Sequence, residues 1–265
     1  MQNNKKIFTV IGFVIAVVAI VVVAKYASPR KVQYVPVVTI EQAVHLANIA
    51  QTDGYSLGEL PVEGHVVLGT ETKDGVTTVY AVSSYGWFAF ENGIFTTVSG
   101  SFRVPTVITF SQNGQGEYVL QKYQEPQNGT MGVESIKKMF PAQYLDDVFD
   151  AEKFNDELVR QQEAQATEYL KSIGRVATVT ASYVEKESWT INVEASNQLL
   201  GEVYDFPMWL GTIERLEGGK RYVYETAQSK TEDGYDLITY SKRDMDGKVI
   251  IEYQYKIVGS EAILQ

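Results

Sequence analysis

Residues Ile7 to Ala24 form a run of 18 residues without charge, in which Thr9 is the single polar side chain, and Lys5 and Lys6 stand directly before it. At a helical rise of ~1.5 Å per residue the run reaches about 27 Å, enough to cross a hydrocarbon core of roughly 30 Å when flanking lysines snorkel. No second apolar run of that length follows Ala24, so the remainder is expected on one side of a membrane. A cleaved export signal has an apolar core of about 7–15 residues. Val22-Val23-Ala24 would serve as a cleavage site, but the run exceeds that core, and the expectation is an uncleaved single-pass anchor with the bilayer as its partner. Lys25, Arg30 and Lys31 lie after the run, so the positive-inside rule alone does not orient it. The order of lysines then apolar core, together with an acidic, tyrosine-rich remainder, favours an N-terminus inside the cell and an extracytoplasmic C-terminal domain.

The chain has 33 acidic against 23 basic residues and a net charge of −10. A surface of that sign repels phosphate backbones, so a nucleic-acid partner is not expected. There is no cysteine, which removes disulfide scaffolds, thiol nucleophiles, thiolate zinc sites and iron–sulfur clusters from consideration. An exported chain without disulfides fits a bacterial surface. An apolar content of 45% and a charged content of 21% are those of folded protein.

The expected organisation is a short cytoplasmic N-terminus (1–6), the anchor (7–24), a stalk with Pro29 and Pro36 (25–36), an α+β domain (37–174) and an antiparallel β region (175–265) packed on or continuous with it. Thr39 and Gln42 make a capping-box pattern for a first helix whose apolar face carries Ile40, Ala43, Val44, Ala47 and Ala50. Gly54 would end it. From Val62 to Tyr123 the turn dipeptides Asp74-Gly75, Asn92-Gly93 and Asn113-Gly114 separate runs over Val66 to Glu71, Thr77 to Phe90 and Thr106 to Phe110, an antiparallel meander of four or five strands. Helices are predicted over Val133 to Phe140, around Tyr144 to Phe149, and over Ala151 to Ile173. Asp150 would cap the last and Gly174 stop it. Phe154, Leu158, Ala166, Tyr169, Leu170 and Ile173 make its core face, and Arg160-Gln161-Gln162-Glu163 reads as solvated. Strands return from Val176, with turns at Gly218-Gly219, Asp233-Gly234 and Asp246-Gly247. In the last long run Val249, Ile251, Tyr253, Tyr255 and Ile257 alternate with polar residues and share one face. The fold class is α+β: an N-terminal transmembrane helix followed by antiparallel sheet regions with segregated helices.

Chemistry-bearing patterns are few. The two histidines, His45 and His65, form no H-E-x-x-H motif. His45 lies about 140° from Ile40 on the helical wheel and reads as a solvated surface residue. His65 shares a strand face with Glu63, as a surface ion pair or a carboxylate–imidazole dyad without a spaced nucleophile. Ser135-Ile136-Lys137-Lys138 matches S-x-x-K but lacks the companion S-D-N and K-T-G motifs. Asp244-Met245-Asp246-Gly247 resembles part of a calcium loop, yet Lys242 and Tyr253 occupy ligand positions, so it reads as a hairpin turn. Asp146, Asp147, Asp150, Glu152, Asp156 and Glu157 read as a solvated, dipole-complementing helix start. No catalytic residue, metal site or cofactor is therefore expected, and the chain reads as a non-enzyme. The aromatic group from Tyr85 to Phe102, with Trp87, reads as core. Phe206-Pro207-Met208-Trp209-Leu210 either plugs a core or forms a recognition patch, so Phe206, Trp209 and Leu210 are the candidate partner-binding residues.

Five stretches carry a family resemblance. They are Val67-Leu68-Gly69-Thr70-Glu71, Thr78-Val79-Tyr80-Ala81, Pro105-Thr106-Val107-Ile108-Thr109-Phe110, Ser135-Ile136-Lys137-Lys138-Met139-Phe140-Pro141 and Glu168-Tyr169-Leu170-Lys171-Ser172-Ile173-Gly174-Arg175. Together, over about Val62 to Arg175, they resemble the extracytoplasmic tail of antirepressor-type membrane metallopeptidases, relatives of the β-lactam sensor, from clostridia-like bacteria. This chain lacks the multi-helix peptidase and its zinc motif, so no catalytic residue transfers. The resemblance implies a stand-alone anchored domain for sensing or for binding a membrane or cell-envelope protein. A cell-wall or glycan-binding module built on Trp87 and Trp209, and a hydrolase with a carboxylate pair, are the alternatives.

Overall fold

The computed structural model describes residues 36–55, 58–182 and 184–265. The anchor expected over Ile7 to Ala24, and nearly all of the stalk, lie outside the described residues. No helix among the described residues is long and apolar enough to cross a membrane. The described chain is α+β, with a large antiparallel sheet and five α-helices. It divides into two compact units, one running to Trp87 and resuming over Val98–Tyr169, the other comprising Phe88–Thr97 and Leu170–Gln265. The tip of one hairpin, Phe88–Thr97, counts with the second unit.

The first unit begins with helix α1 (Ile40–Gln51). Its capping box forms as the spacing predicts: Thr39 Oγ1 accepts from the Gln42 amide at 3.2 Å, and Gln42 Oε1 accepts from the Thr39 amide at 3.3 Å. Ala43, Val44 and Ala47 then pack on Val79, Ala81, Ile108 and Phe110. A 3-10 turn (Thr52–Gly54) ends the helix. Strands β1 (Leu60–Lys73), β2 (Val76–Glu91), β3 (Ile94–Gln112) and β4 (Tyr118–Gln124) follow in meander order. Asp74-Gly75 and Asn92-Gly93 close two-residue turns with positive φ at all four residues, the geometry that matches the twist of the flanking strands. β2 and β3 approach so closely that a Cβ on Gly86 would lie 2.2 Å from the Ser99 carbonyl oxygen, and one on Gly100 2.4 Å from that of Tyr85. Only hydrogen fits on either Cα, which is why both positions are glycine.

Helices α2 (Gly132–Met139), α3 (Leu145–Phe149) and α4 (Asn155–Ser172) come next. A 3-10 turn over Ala151–Phe154 precedes α4, so the long helix starts later than the acidic cluster implied. Asp150 makes no capping hydrogen bond; its carboxylate lies 3.8 Å from Lys153 Nζ. Gly174 stops the helix as expected: its amide donates to the Lys171 carbonyl at 3.1 Å and the Arg175 amide to that of Leu170 at 2.9 Å. Leu158, Ala166 and Leu170 are buried, but Ile173 is not.

The second unit contains β5 (Val179–Thr180), α5 (Val193–Glu202), β6 (Gly211–Glu217), β7 (Lys220–Lys230), β8 (Asp236–Asp244), β9 (Val249–Val258) and β10 (Glu261–Leu264). Its strands run β10-β9-β8-β7-β6, with the tip of β2 joining through Glu91 and Ile213, and β5 pairing parallel with β3 at Phe95 and Thr96. Helix α5 corrects the reading of this region as strands alone. Asn192 Oδ1 accepts from the Glu194 amide at 2.8 Å and starts the helix, whose Ala195 and Leu199, followed by Val203 and Phe206, pack on Tyr224, Ile238, Tyr240, Tyr255 and Ile257.

β9 departs from simple alternation. Ile251 pairs with Lys242 but Val249 pairs with Arg243, leaving Ile250 as an extra residue in a β-bulge. The bulge takes Val249 out of the face shared by Ile251 and Tyr253. Tyr255 and Ile257 are buried, whereas Val249, Ile251 and Tyr253 are exposed. Three hairpin loops share one design. At Asn113, Thr231 and Asp244 the residue's carbonyl accepts from the glycine amide three positions on, and its side-chain oxygen accepts from the amide of the residue after that glycine. Gly116, rather than Gly114, carries the positive φ of the first loop.

Candidate functional site

The densest polar arrangement in the first unit centres on Glu63 of β1, whose side chain is almost fully buried. Its Oε1 accepts from His45 Nδ1 of α1 at 2.8 Å; its Oε2 accepts from His65 Nδ1 of β1 at 2.9 Å and from Asn48 Nδ2 of α1 at 2.9 Å. Tyr123 of β4 donates its hydroxyl to Asn48 Oδ1 at 2.9 Å. The sequence reading thus found the Glu63–His65 pair and missed its third member. His45 does sit on the outer side of α1, with its ring 42% exposed, but one nitrogen turns inward to the carboxylate. The signal available was the i, i+3 spacing of His45 and Asn48, two polar side chains at the margin of the apolar stripe.

The electrostatics follow from the geometry. Burial works to raise the Glu63 pKa, but hydrogen bonds from His45 and His65, and their charges, outweigh it and hold the carboxyl at about 2, against an ordinary 4.5. An ionised carboxylate only accepts, so both imidazoles carry a proton on Nδ1. The arrangement orients two imidazoles, one exposed and one nearly enclosed, around a single fixed negative charge. Nearby, the Tyr85 hydroxyl donates to Glu125, and burial followed by that bond pushes its pKa well above the phenol range.

Helix α4 holds the other side of β1. Gln165 Oε1 accepts from the Glu63 amide at 3.3 Å while its Nε2 donates to the Glu63 carbonyl at 2.6 Å. Gln161 does the same for His65, at 2.8 and 2.9 Å. Four helical residues rise about 6.0 Å and two strand residues about 6.7 Å, so glutamines at i and i+4 match backbone groups at j and j+2. Gln162 is buried and donates to Ser84 Oγ at 2.9 Å. Gln161 and Gln162, in the segment expected to be solvated, therefore grip the sheet together with Gln165, whereas Arg160 is exposed as expected. Gly64, between the two clamped residues, lets the helix come close: a Cβ there would lie 2.6 Å from the Leu158 carbonyl oxygen.

Several of the remaining sequence candidates have structural partners. Ser135 and Lys138 line one small pocket with Glu125 and Met139, but the Ser135 hydroxyl donates to the Gly132 carbonyl at 2.8 Å and accepts from the Gln127 amide at 2.9 Å. It is engaged by backbone on both sides. Asp147 pairs with Lys153 at 2.5 Å and Glu157 with Arg160 at 2.5 Å. Asp244 Oδ1 accepts from the amides of Asp246 and Lys248, closing the hairpin. No group of three metal-ligating side chains is arranged to hold an ion among the described residues.

In the second unit the segment from Phe206 to Leu210 is divided in its roles. Phe206 is buried, with its ring centroid 5.3 Å from those of Tyr224 and Tyr240 and 6.2 Å from that of Tyr253. Pro207 is buried and its carbonyl accepts from Thr226 Oγ1 at 2.7 Å. Trp209 is half-buried, folded onto Gly211, where a Cβ would lie 2.4 Å from the indole, with Lys186 Nζ 5.0 Å from its ring centroid. The Leu210 amide donates to the Glu187 carbonyl at 2.7 Å. Phe206 is thus the core plug, and Trp209 and Leu210 are pinned at the margin. Trp87, the other indole named for a glycan platform, is fully buried.

A surface that sequence reasoning did not single out lies at the β8–β9 end of this unit. Met245, Val249, Ile250, Ile251 and Tyr253 are each between 37 and 53% exposed. β10 pairs only with Tyr255–Val258, and Gln265 with Gln254, so residues 249–253 have no strand on their outer edge among the described residues. No protein-family model, no curated protein and no solved structure matches this chain.

Proposed function

We propose that this chain is a membrane-anchored, extracytoplasmic domain that binds a membrane or cell-envelope protein and has no catalytic activity of its own. One observation carries the reading: the exposed apolar side chains of Met245, Val249, Ile250, Ile251 and Tyr253 at the β8–β9 end, along a strand edge that has no partner strand among the described residues. Large apolar side chains scattered singly over a surface are ordinary, but several of them on both faces of one strand, beside an edge without a partner strand among the described residues, suit an added strand and pockets for its side chains. The bulge at Ile250 and the charge of Glu252 blunt indiscriminate edge pairing, which favours a shaped partner over self-association. The apolar run Ile7 to Ala24 supports attachment to the membrane, and the resemblance of Val62 to Arg175 to a metallopeptidase tail supports a sensing or partner-binding role.

A photo-crosslinking residue at Ile250, activated in intact cells, tests this. A discrete adduct is expected, lost on Ile251→Glu while the melting curve stays within about 0.5 kcal/mol of wild type, as for other exposed substitutions. Absence of any adduct from the folded protein overturns the reading. Binding to isolated cell wall that survives Ile251→Glu and disappears with Trp209→Ala puts a glycan module in its place. Protease added to spheroplasts is expected to remove Tyr34 to Gln265 from a protein that was membrane-bound beforehand; protection reverses the orientation.

A further inference from the structure

The chain contains three Asn-Gly pairs, Asn92-Gly93, Asn113-Gly114 and Asn128-Gly129, and the fold treats them differently. In an Asn-Gly pair the glycine amide nitrogen can attack the asparagine side-chain carbonyl carbon, because no side chain on the glycine obstructs the approach. The attack needs a carboxamide that is free to swing over the following nitrogen. Asn92 is not free: it closes a two-residue turn, and its Oδ1 accepts from the Thr212 amide at 2.8 Å. Asn113 is held more tightly still. Its Oδ1 accepts from the amides of Gln115 and Glu117 at 2.9 and 3.0 Å, and its Nδ2 donates to Glu117 Oε2 at 2.7 Å.

Asn128 stands apart. It lies on the exposed connection between β4 and α2, and its side chain makes no capping hydrogen bond to the 3-10 turn Gly129–Met131 that follows. Gly129 has φ +70° and open space around its Cα. Gln127 and Thr130, on either side of the pair, are exposed.

We propose that Asn128 is the chain's site of spontaneous deamidation, with water as the co-reactant. The Gly129 nitrogen forms a bond to Asn128 Cγ, the Cγ–Nδ2 bond breaks, and ammonia leaves with the proton of the attacking amide. Water then opens the five-membered imide at either carbonyl, giving aspartate or isoaspartate and adding one negative charge at the start of the turn leading into α2. Isoaspartate also adds a methylene to the main chain one residue after Gln127, whose amide is fixed to Ser135 Oγ.

The three pairs lie on separate tryptic peptides, residues 74–103, 104–122 and 123–137, each with one asparagine. The full chain is held at pH 8 and 37 °C and sampled by peptide mass spectrometry for the one-dalton gain, once folded and once in denaturant. In the folded chain the 123–137 peptide is expected to convert at least roughly tenfold faster than the other two, whose asparagines react only after local opening. In denaturant the three rates converge. Equal folded rates, or faster conversion at Asn92 or Asn113, overturn the proposal, as does a folded rate at Asn128 suppressed to the same degree as theirs relative to denaturant.

Discussion

Gln165 clamps Glu63 through both of that residue's backbone groups, donating to its carbonyl at 2.6 Å and accepting from its amide at 3.3 Å. A single side chain thereby stands in for the neighbouring strand that β1 lacks on this side. Gln161 repeats the arrangement at His65, so an edge that would otherwise invite foreign strands is closed by a helix. The same two residues of β1 carry the side chains of the buried hub. The clamp therefore sets where Glu63 and His65 stand relative to His45.

Replacing either glutamine by alanine leaves an amide and a carbonyl of a part-buried strand without partners. A cost of about 1–3 kcal/mol per substitution is expected in chemical denaturation. Hydrogen exchange distinguishes this from a loss of helix packing: Gln165→Ala should speed exchange at Glu63, and Gln161→Ala at His65. Unchanged protection at both amides would show that the clamp contributes nothing.

Glu63 makes stability depend on acidity in one direction. Its folded pKa of about 2 lies below the ordinary 4.5, so the unfolded chain takes up a proton first as pH falls. The stabilisation is fully present above pH 4.5 and is lost as pH drops from there toward 2, a total of ~3 kcal/mol for a shift of this size. In urea titrations the stability gap between wild type and Glu63→Gln should be widest above pH 5 and shrink steadily below 4.5. A gap of constant width across that range would mean that the histidines do not hold the carboxylate charged.

Phe206 and Trp209 are close in sequence and unequal in the fold. Phe206→Ala empties a site enclosed by three tyrosine rings and is expected to cost about 3–5 kcal/mol. Trp209→Ala removes a half-buried ring resting on Gly211 and Lys186, with an expected loss of about 1–2 kcal/mol. Thermal melts of the two variants side by side decide the order; a larger loss for Trp209→Ala contradicts the assignment of the plug.

Glycine substitutions separate crowding from chain entropy. Gly64→Ala drives a methyl toward the Leu158 carbonyl, and a loss of roughly 1–3 kcal/mol is expected because backbone must move. Gly54→Ala has open space and an ordinary φ, so it should stabilise by about 0.4–1 kcal/mol by restricting the unfolded chain. Equilibrium unfolding of both variants checks the sign of each effect.

Local signals were the legible ones. The Thr39–Gln42 box, the Asp74-Gly75 and Asn92-Gly93 turns and the Gly174 stop each depend on residues within five positions of one another, and each forms as its chemistry dictates. The hub was legible only where it is local: Glu63 and His65 share a strand face, whereas His45 lies 18 residues away. Gln161 and Gln162 were misread because amides that bond the sheet and amides that face water look alike along the chain. Helix α5 was missed because Ala195 and Leu199 are its only buried side chains, too few to outweigh the strand-rich sequence around it. The bulge at Ile250 leaves no mark in an alternating pattern, yet it turns Val249 to another face.

The loops that start at Asn113, Thr231 and Asp244 consist of a polar starter, two variable residues and a glycine, bonded within themselves in the same way. They are spare parts of one another. What they hand to the strands is a register, and the bonds common to all three run from the first residue to the glycine and to the residue after it. One four-residue grammar thus closes hairpins in both compact units.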